Sequence, residues 1–239
     1  MSNHLPESAD FEHITEWVFD LDNPLYPRHT DLFSQIDKKM TAYVSDLLKL
    51  PHDEARTIQK TYYRDYGTTM NGLINLHGID PNEFLEKVHD IDYSWVKPNP
   101  QLGAAIRALP GRKFIFTNGD VAHAQRTATA LGILDHFDDI FDILAADLQP
   151  KPASQTYDRF LARHNIPGDK AVMFEDLPRN LTVPKTLGMR TVLIVPHNLD
   201  TVIEEVWESD GRDGDHIDYI TDDLAGFLEH YLTGGSPAA

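Results

Sequence analysis

Four short apolar runs, each stopping at polar or acidic residues, constrain this chain more than any other feature. They are Glu16-Trp17-Val18-Phe19-Asp20-Leu21, Lys113-Phe114-Ile115-Phe116-Thr117, Ala171-Val172-Met173-Phe174 and Thr191-Val192-Leu193-Ile194-Val195. Their length and apolar content are those of buried strands. Helix-period segments lie between them, notably Val121 to Leu131, Ala153 to His164 and Asn180 to Leu187. Strands that alternate with helices require right-handed crossovers, so the expected fold class is α/β, a parallel sheet covered on both faces. Ligands of such sheets sit beyond the carboxyl ends of the strands. Asp20, Thr117 and the pair Glu175-Asp176 all fall at those ends.

The rhythm breaks between about Pro27 and Pro100, where helical periodicity continues without a strand. Leu32, Phe33, Ile36, Met40, Tyr43, Val44 and Leu47 recur at three- and four-residue steps. Pro51 ends that helix, and Asp53 is expected to cap the next, which runs towards Tyr66. Gly67, Gly72 and Gly78 punctuate shorter pieces, Pro81 to His89 reads as another helix, and Lys97-Pro98-Asn99-Pro100 reads as a return linker. The expected organisation is therefore a core built from residues 1–26 and 100–239, with an all-helical domain, 27–99, inserted into it. A chain of 239 residues can bury one such core plus a small insert. Asp210 to Asp223 alternates acids with glycine, Leu224 to Leu232 is expected to be helical, and Gly234 to Ala239 reads as a frayed terminus.

A formal charge of -17 disfavours a nucleic-acid polymer as partner unless the few basic residues cluster. An anionic substrate would need locally placed cations. With no cysteine, disulfides, zinc-thiolate sites and cysteine nucleophiles are excluded together. Met1 to Ala9 are polar, unlike the apolar core of a signal peptide, and no stretch has the apolar length of a membrane span. A cytoplasmic enzyme fits these properties. Nothing in the sequence indicates an oligomeric state.

Asp20 and Asp22, two apart directly after a buried strand, bring charge where it is costly without a partner, and a divalent cation would be one. Two acids opening a surface turn is the alternative reading. Taken singly, Thr117-Asn118 reads as a helix cap, Lys151-Pro152 as a solvated turn and Glu175-Asp176 as the cap of a following helix. Taken together, in this order and at strand ends, the four resemble the motifs of the haloacid dehalogenase (HAD) superfamily over nearly the whole chain. The resemblance implies a Rossmann-like parallel core with a helical cap, and a Mg2+-dependent phosphatase.

In that family's terms Asp20 would attack phosphorus to give an aspartyl-phosphate, and Asp22 would protonate the leaving oxygen and then deprotonate water. Thr117 would hold phosphate oxygens with the backbone after it, where Asn118 follows, and Lys151 would neutralise their charge. Asp176, Asp20 and the backbone carbonyl of Asp22 would bind Mg2+, with Glu175 as a further metal candidate. One position departs from the family pattern, for Pro24 stands where the first motif usually has threonine. Proline removes an amide donor and restricts Asn23, so a weakened or non-catalytic protein of the same fold is the alternative to an active enzyme.

The insert narrows the resemblance. Leu25-Tyr26-Pro27, Leu32-Phe33-x-Gln35-Ile36-Asp37, Tyr62-Tyr63-x-x-Tyr66-Gly67-Thr68-Thr69 with Gly72-Leu73, His77-Gly78-Ile79-Asp80 and Val88-His89-Asp90-Ile91-Asp92-Tyr93 are similar to the pyrimidine 5'-nucleotidase branch. The implied substrate is a small phosphate ester, a nucleoside 5'-monophosphate with pyrimidines preferred. Tyr63 or Tyr66 could stack on its base and Gly67-Thr68-Thr69 approach its polar edge, or the tyrosines could form the insert's own core. His89 and His123 read as packing or surface histidines rather than ligands. A sugar-phosphate or phosphoglycolate phosphatase is the nearest alternative, a phosphomutase is conceivable, and a dehalogenase would need neither Asp22 nor Asp176.

Overall fold

The computed structural model describes residues 8–26, 30–196 and 206–234. The polar leader up to Glu7, Pro27 and the tail from Gly235 onward lie outside them.

Six strands form one parallel sheet: β1 (Glu16–Phe19), β2 (Arg112–Phe116), β3 (Asp139–Phe141), β4 (Ala171–Glu175), β5 (Arg190–Ile194) and β6 (Tyr219–Thr221), in the order β3-β2-β1-β4-β5-β6. Alternation within the strands divides the core. Trp17, Phe19, Ile115, Val172, Phe174 and Val192 face one side, and Val18, Phe114, Phe116, Met173 and Leu193 the other. Both sides are covered, which is why these strands read as continuous apolar runs rather than alternating ones.

Helices α1 (Leu32–Leu48), α2 (His52–Tyr66), α3 (Thr69–His77) and α4 (Pro81–Val88) follow β1. They carry an apolar cluster of their own, including Ile36, Val44, Ala55, Leu73, Phe84 and Val88, which meets the sheet layer at Ile143. Then come α5 (Pro100–Ala108), α6 (Val121–Leu131), α7 (Ser154–His164), α8 (Thr182–Thr186) and α9 (Leu224–Leu232). α5, α6 and α9 pack on the first face through Leu102, Ile106, Ala124, Leu131, Phe227 and Leu228. α7 packs on the second through Tyr157 and Phe160. The α/β class, the parallel sheet and the inserted helical layer follow the sequence expectation.

Several details differ. β1 ends at Phe19, because the chain turns at Leu21 after Asp20 N–H bonds Phe174 O at 2.9 Å. Pro51, not Asp53, is the N-cap of α2, and Asp53 stands in the first turn. Gly72 does not interrupt a helix but lies inside α3, where a Cβ would come within 2.4 Å of Tyr62 Cβ, so glycine is what lets α3 close on α2. The expected helix from Asn180 to Leu187 is a 3-10 turn, Pro178–Leu181, continued by the short α8. Asn99 and Pro100, read as linker, are the N-cap and first residue of α5, with Asn99 Oδ1 accepting Leu102 N–H at 3.1 Å.

Among the described residues no helix is long and apolar enough to cross a membrane.

Candidate active site

The parallel register brings three strand ends to one place. Phe19 pairs with Ile115 on one side and Phe174 on the other, so Asp20 after β1, Thr117 after β2 and Glu175-Asp176 at the end of β4 leave the sheet together. Lys151 enters from the segment before α7, across a cis Lys151–Pro152 peptide.

Lys151 is 1% exposed and its Nζ has three acceptors: Asp20 Oδ1 at 2.7 Å, Glu175 Oε1 at 2.6 Å and the Phe116 carbonyl at 2.9 Å. An ammonium has three protons, so the set is complete. Burial by itself disfavours this cation, but the carboxylates of Asp20 and Glu175 outweigh it and hold the lysine's pKa above its ordinary value. Glu175, fully buried, also accepts Asn180 Nδ2 at 2.7 Å on Oε1 and Leu177 N–H at 3.0 Å on Oε2.

Asp20, Glu175 and Asp176 each offer an oxygen within 4.8 Å of the others. The three carboxylates thus gather beside one buried ammonium, which bonds two of them directly. Burial pushes the Asp20 carboxyl well above the usual range, Lys151 opposes this, and Glu175, Asp176 and Asp22 reinforce it. An all-oxygen, acidic donor set of this kind suits a hard divalent cation such as Mg2+. Asp176 Oδ2 also accepts Asn23 Nδ2 at 2.7 Å. Asn23 has φ 78°, in the left-handed region that asparagine tolerates better than most residues, and Pro24 follows it in the same turn. That turn carries the Asn23 amide to Asp176.

Asp22 lies apart from this group. Its Oδ1 accepts the Tyr26 hydroxyl at 2.5 Å and faces His123 Nε2 at 3.2 Å. Burial would raise the Asp22 carboxyl, but the bonds from His123 and Tyr26 hold it below the usual carboxylate range. Thr117 is buried, and its Oγ1 accepts Gly119 N–H at 2.9 Å, shaping the turn into α6. Asn118 Oδ1 accepts Lys151 N–H at 2.9 Å, which ties the second and third sequence motifs together.

A cleft of about 630 Å³ opens over these groups, running from Asp20, Asp22, Asn118, Lys151 and Asp176 into the helical layer. Ile36, Met40, Phe84, Leu85 and Val88 line its apolar part, and Asp37, Arg56, Gln59 and Lys60 a polar part. Tyr63 and Thr68 are on the wall; Thr68 also caps α3 by accepting Asn71 N–H at 3.1 Å. Tyr66 and Gly67 are not. Tyr62 and Tyr66, four residues apart, share a helix face and pack edge-on at 6.1 Å, whereas Tyr63 is turned towards the cleft. Gly67, with φ 82°, brings the end of α2 against the lysine-bearing segment, where a Cβ would lie 3.0 Å from Pro150 Cγ. Tyr63 also meets Trp207 edge-on at 4.8 Å, with the Arg179 guanidinium 5.2 Å from the Tyr63 ring centre and 4.6 Å from that of Trp207.

Asn23, Tyr26, His123 and Asn180 contact the acidic residues without having been singled out as site residues. His89 and His123 are both buried; His89 also lines the cleft, and His123 reaches Asp22. Tyr26 and Asn180 lie close in sequence to their partners Asp22 and Glu175, whereas Asn23 meets Asp176 and His123 meets Asp22 only across the fold.

The haloacid dehalogenase-like hydrolase family model matches residues 17–188, well over half of the chain. Phosphate metabolism protein 8 of Saccharomyces cerevisiae is 30% identical over 135 residues, 52% of this chain and 42% of that protein, so the chain spans less than half of that relative's length. Among solved structures, L-2-haloacid dehalogenase of Xanthobacter autotrophicus is 14% identical with a TM-score of 0.59 over 91% of this chain and 98% of that one. A HAD phosphatase of Thermococcus onnurineus is 18% identical with a TM-score of 0.59 over 94% and 100%. At these identities the two structures share the fold. The sequence match and the arrangement of Asp20, Lys151, Glu175 and Asp176 agree, and the chain belongs to the haloacid dehalogenase-like hydrolase family.

Proposed function

We propose that this hydrolase is a Mg2+-dependent phosphatase acting on nucleoside 5'-monophosphates, pyrimidines preferred, through an aspartyl-phosphate on Asp20. The observation that carries the reading is the division of labour among the carboxylates. Asp20, Glu175 and Asp176 crowd together, two of them bonded to one buried lysine, while Asp22 stands at the cleft on separate bonds. Carbon-halogen displacement needs neither the second aspartate nor a metal group.

Asp20 forms a bond to phosphorus as the bond to the leaving oxygen breaks, and Asp22, whose depressed carboxyl takes up a proton as the substrate's negative charge arrives beside it, gives that oxygen its proton. Asp22 then takes a proton from water, whose oxygen attacks phosphorus and releases the Asp20 carboxylate, so ester and water become alcohol and phosphate. Lys151 holds Asp20 in place and balances phosphate charge, with Glu175 behind it as orienting partner. Thr117 and the amides after it, with Asn118, frame the phosphate pocket. Asp20, Asp176 and the Asp22 carbonyl would hold Mg2+, with Glu175 a further donor, and bound Mg2+ would offset negative charge on the phosphoryl oxygens. The Asn23 contact to Asp176 favours an active enzyme despite Pro24.

Residues 27–99 would act as a cap over the core formed by 1–26 and 100–239. The separate apolar cluster of α1 to α4 supports that division. Tyr63 and Thr68 would meet the base, and the large apolar wall suits a flat leaving group better than a bare sugar.

Phosphate release from UMP and CMP should exceed that from AMP, GMP, phosphoglycolate and sugar phosphates when Mg2+ is supplied. Equal rates across the panel would remove the pyrimidine preference. A folded protein that turns over none of them would defeat the phosphatase reading.

A further inference from the structure

Asp22 is held directly by Tyr26 and by His123 of α6, and His123 is in turn met by Tyr93 and His89, so both chain connections between the sheet layer and the helical layer reach this cluster. Tyr26 lies on the first, between β1 and α1; Tyr93 and His89 lie on the second, between α4 and α5. Tyr26 is 1% exposed and His123 0% exposed, and neither lines the cleft, whereas Asp22 does. Both therefore approach the carboxylate from the protein side. Both bonds end on the same oxygen, Oδ1.

The tautomer of His123 follows from its partners. Tyr93 OH lies 2.9 Å from His123 Nδ1, and also 3.2 Å from the His89 carbonyl. A phenol has one proton. When it goes to Nδ1, the neutral imidazole carries its own proton on Nε2, facing Asp22, and this is the neutral tautomer that offers the carboxylate a donor. The ring is further fixed by His89, stacked on it at 4.4 Å with an interplanar angle of 11°. Asp120 joins the two, binding His89 Nδ1 at 2.9 Å through Oδ2 and capping α6 by accepting His123 N–H at 2.6 Å through Oδ1.

We propose that Tyr26 and His123 are positioning residues for Asp22, pinning Oδ1 so that Oδ2 is the oxygen that exchanges the proton with the substrate. The proposal rests on the phosphatase reading above. An aspartate on a turn has two side-chain torsions, and a carboxylate without these bonds would rotate away from the leaving oxygen. Displacement of a reacting group by about 1 Å can cost on the order of a hundredfold in rate.

The test compares two esters at saturating Mg2+. An alkyl phosphate such as UMP needs a proton on its leaving oxygen, whereas p-nitrophenyl phosphate leaves well without one. The ratio of kcat/KM values for the two esters reports on proton delivery in the first chemical step. Tyr26→Phe and His123→Ala should lower kcat/KM for UMP about tenfold to a hundredfold more than for p-nitrophenyl phosphate, within the range that general acid catalysis supplies. His123→Gln, whose amide can donate from a similar position, should recover a large part of the loss on UMP. Tyr26→Phe keeps the buried ring, and its unfolding midpoint checks the fold if His123→Ala is unstable. Equal losses on both esters, or no recovery with glutamine, would overturn the positioning role alone. A folded wild type with no turnover of either ester would overturn the phosphatase reading, and this proposal with it.

Discussion

Lys151 Nζ lies 2.7 Å from Asp20 Oδ1 and 2.6 Å from Glu175 Oε1, so one buried cation joins the end of β1 to the end of β4. Removing it leaves two buried carboxylates without their cation. Lys151→Met is expected to cost about 3–5 kcal/mol of stability, as when one partner of a buried ion pair is lost. Turnover should fall at least about a hundredfold with the loss of the cation that holds Asp20 and, under the proposed function, offsets phosphate charge. Denaturant unfolding and phosphate release measure the two effects separately.

Asp20→Asn keeps size and shape but removes the charge of the oxygen proposed as nucleophile. Phosphate release should drop to background while circular dichroism and the unfolding midpoint show a folded protein. Retained turnover would exclude Asp20 as the nucleophile.

The crowding of Asp20, Glu175 and Asp176 predicts that a divalent cation stabilises the fold. A ligand present at a hundredfold excess over its Kd contributes about 2.7 kcal/mol. For a chain of this size that is a rise in Tm of roughly 5–10 °C. The rise should disappear with a chelator and shrink strongly in Asp176→Asn. A Tm insensitive to Mg2+ in the wild type would count against a metal site.

Within the helical layer, Asp37 accepts Arg56 Nη1 at 2.5 Å, Gln59 Nε2 at 2.7 Å and Lys60 Nζ at 2.8 Å. Burial would raise its carboxyl, but Lys60 and Arg56 hold it below the usual range. A depressed carboxyl stabilises the fold above its unfolded pKa of about 4, and that contribution is lost as pH falls further. Asp37→Ala should cost about 1–3 kcal/mol near neutral pH through the donors it strands. The difference from wild type should narrow below about pH 4. Thermal melts across the pH range test both.

His89 gives a prediction at milder pH. Burial holds its pKa below the ordinary histidine value, against the pull of Asp120. The unfolded chain therefore binds the proton more readily, and stability declines as pH drops below about 6.5. His89→Gln should flatten that part of the profile in thermal melts; an unchanged slope would assign the acid sensitivity elsewhere.

The central strands were legible because burial on both faces makes each an uninterrupted apolar run. β3 and β6 were not, for each is three residues long and lies at a sheet edge, where Asp139 and Tyr219 are only partly buried. The signal for α5 was present but misread: Asn99 followed by Pro100 is a helix start, yet the same pair between other prolines reads as a linker. The acidic residues were legible because a strand end is a local feature, whereas Lys151, in the segment between β3 and α7 rather than at a strand end, was picked out through the family resemblance. His123 and Tyr93 were not legible, since only the folded chain brings His123 to Asp22 and Tyr93 to His123, and Tyr26, close to Asp22 in sequence, carries no pattern that marks it. The tyrosine run shows the same boundary, for helical spacing alone left Tyr63 and Tyr66 equivalent until α3 covered one face of α2.

The parallel register itself acts as a ruler for the chemistry. Phe19 is level with both Ile115 and Phe174, and Asp20 is the next step along. Because side chains alternate along a strand, inserting or deleting one residue within β1 would send Asp20 to the opposite side of the sheet while leaving the composition almost unchanged. The distance between Lys151 and Asp20 is thus a vernier reading of strand alignment, and length changes in β1 should be tolerated far less than substitutions of comparable size.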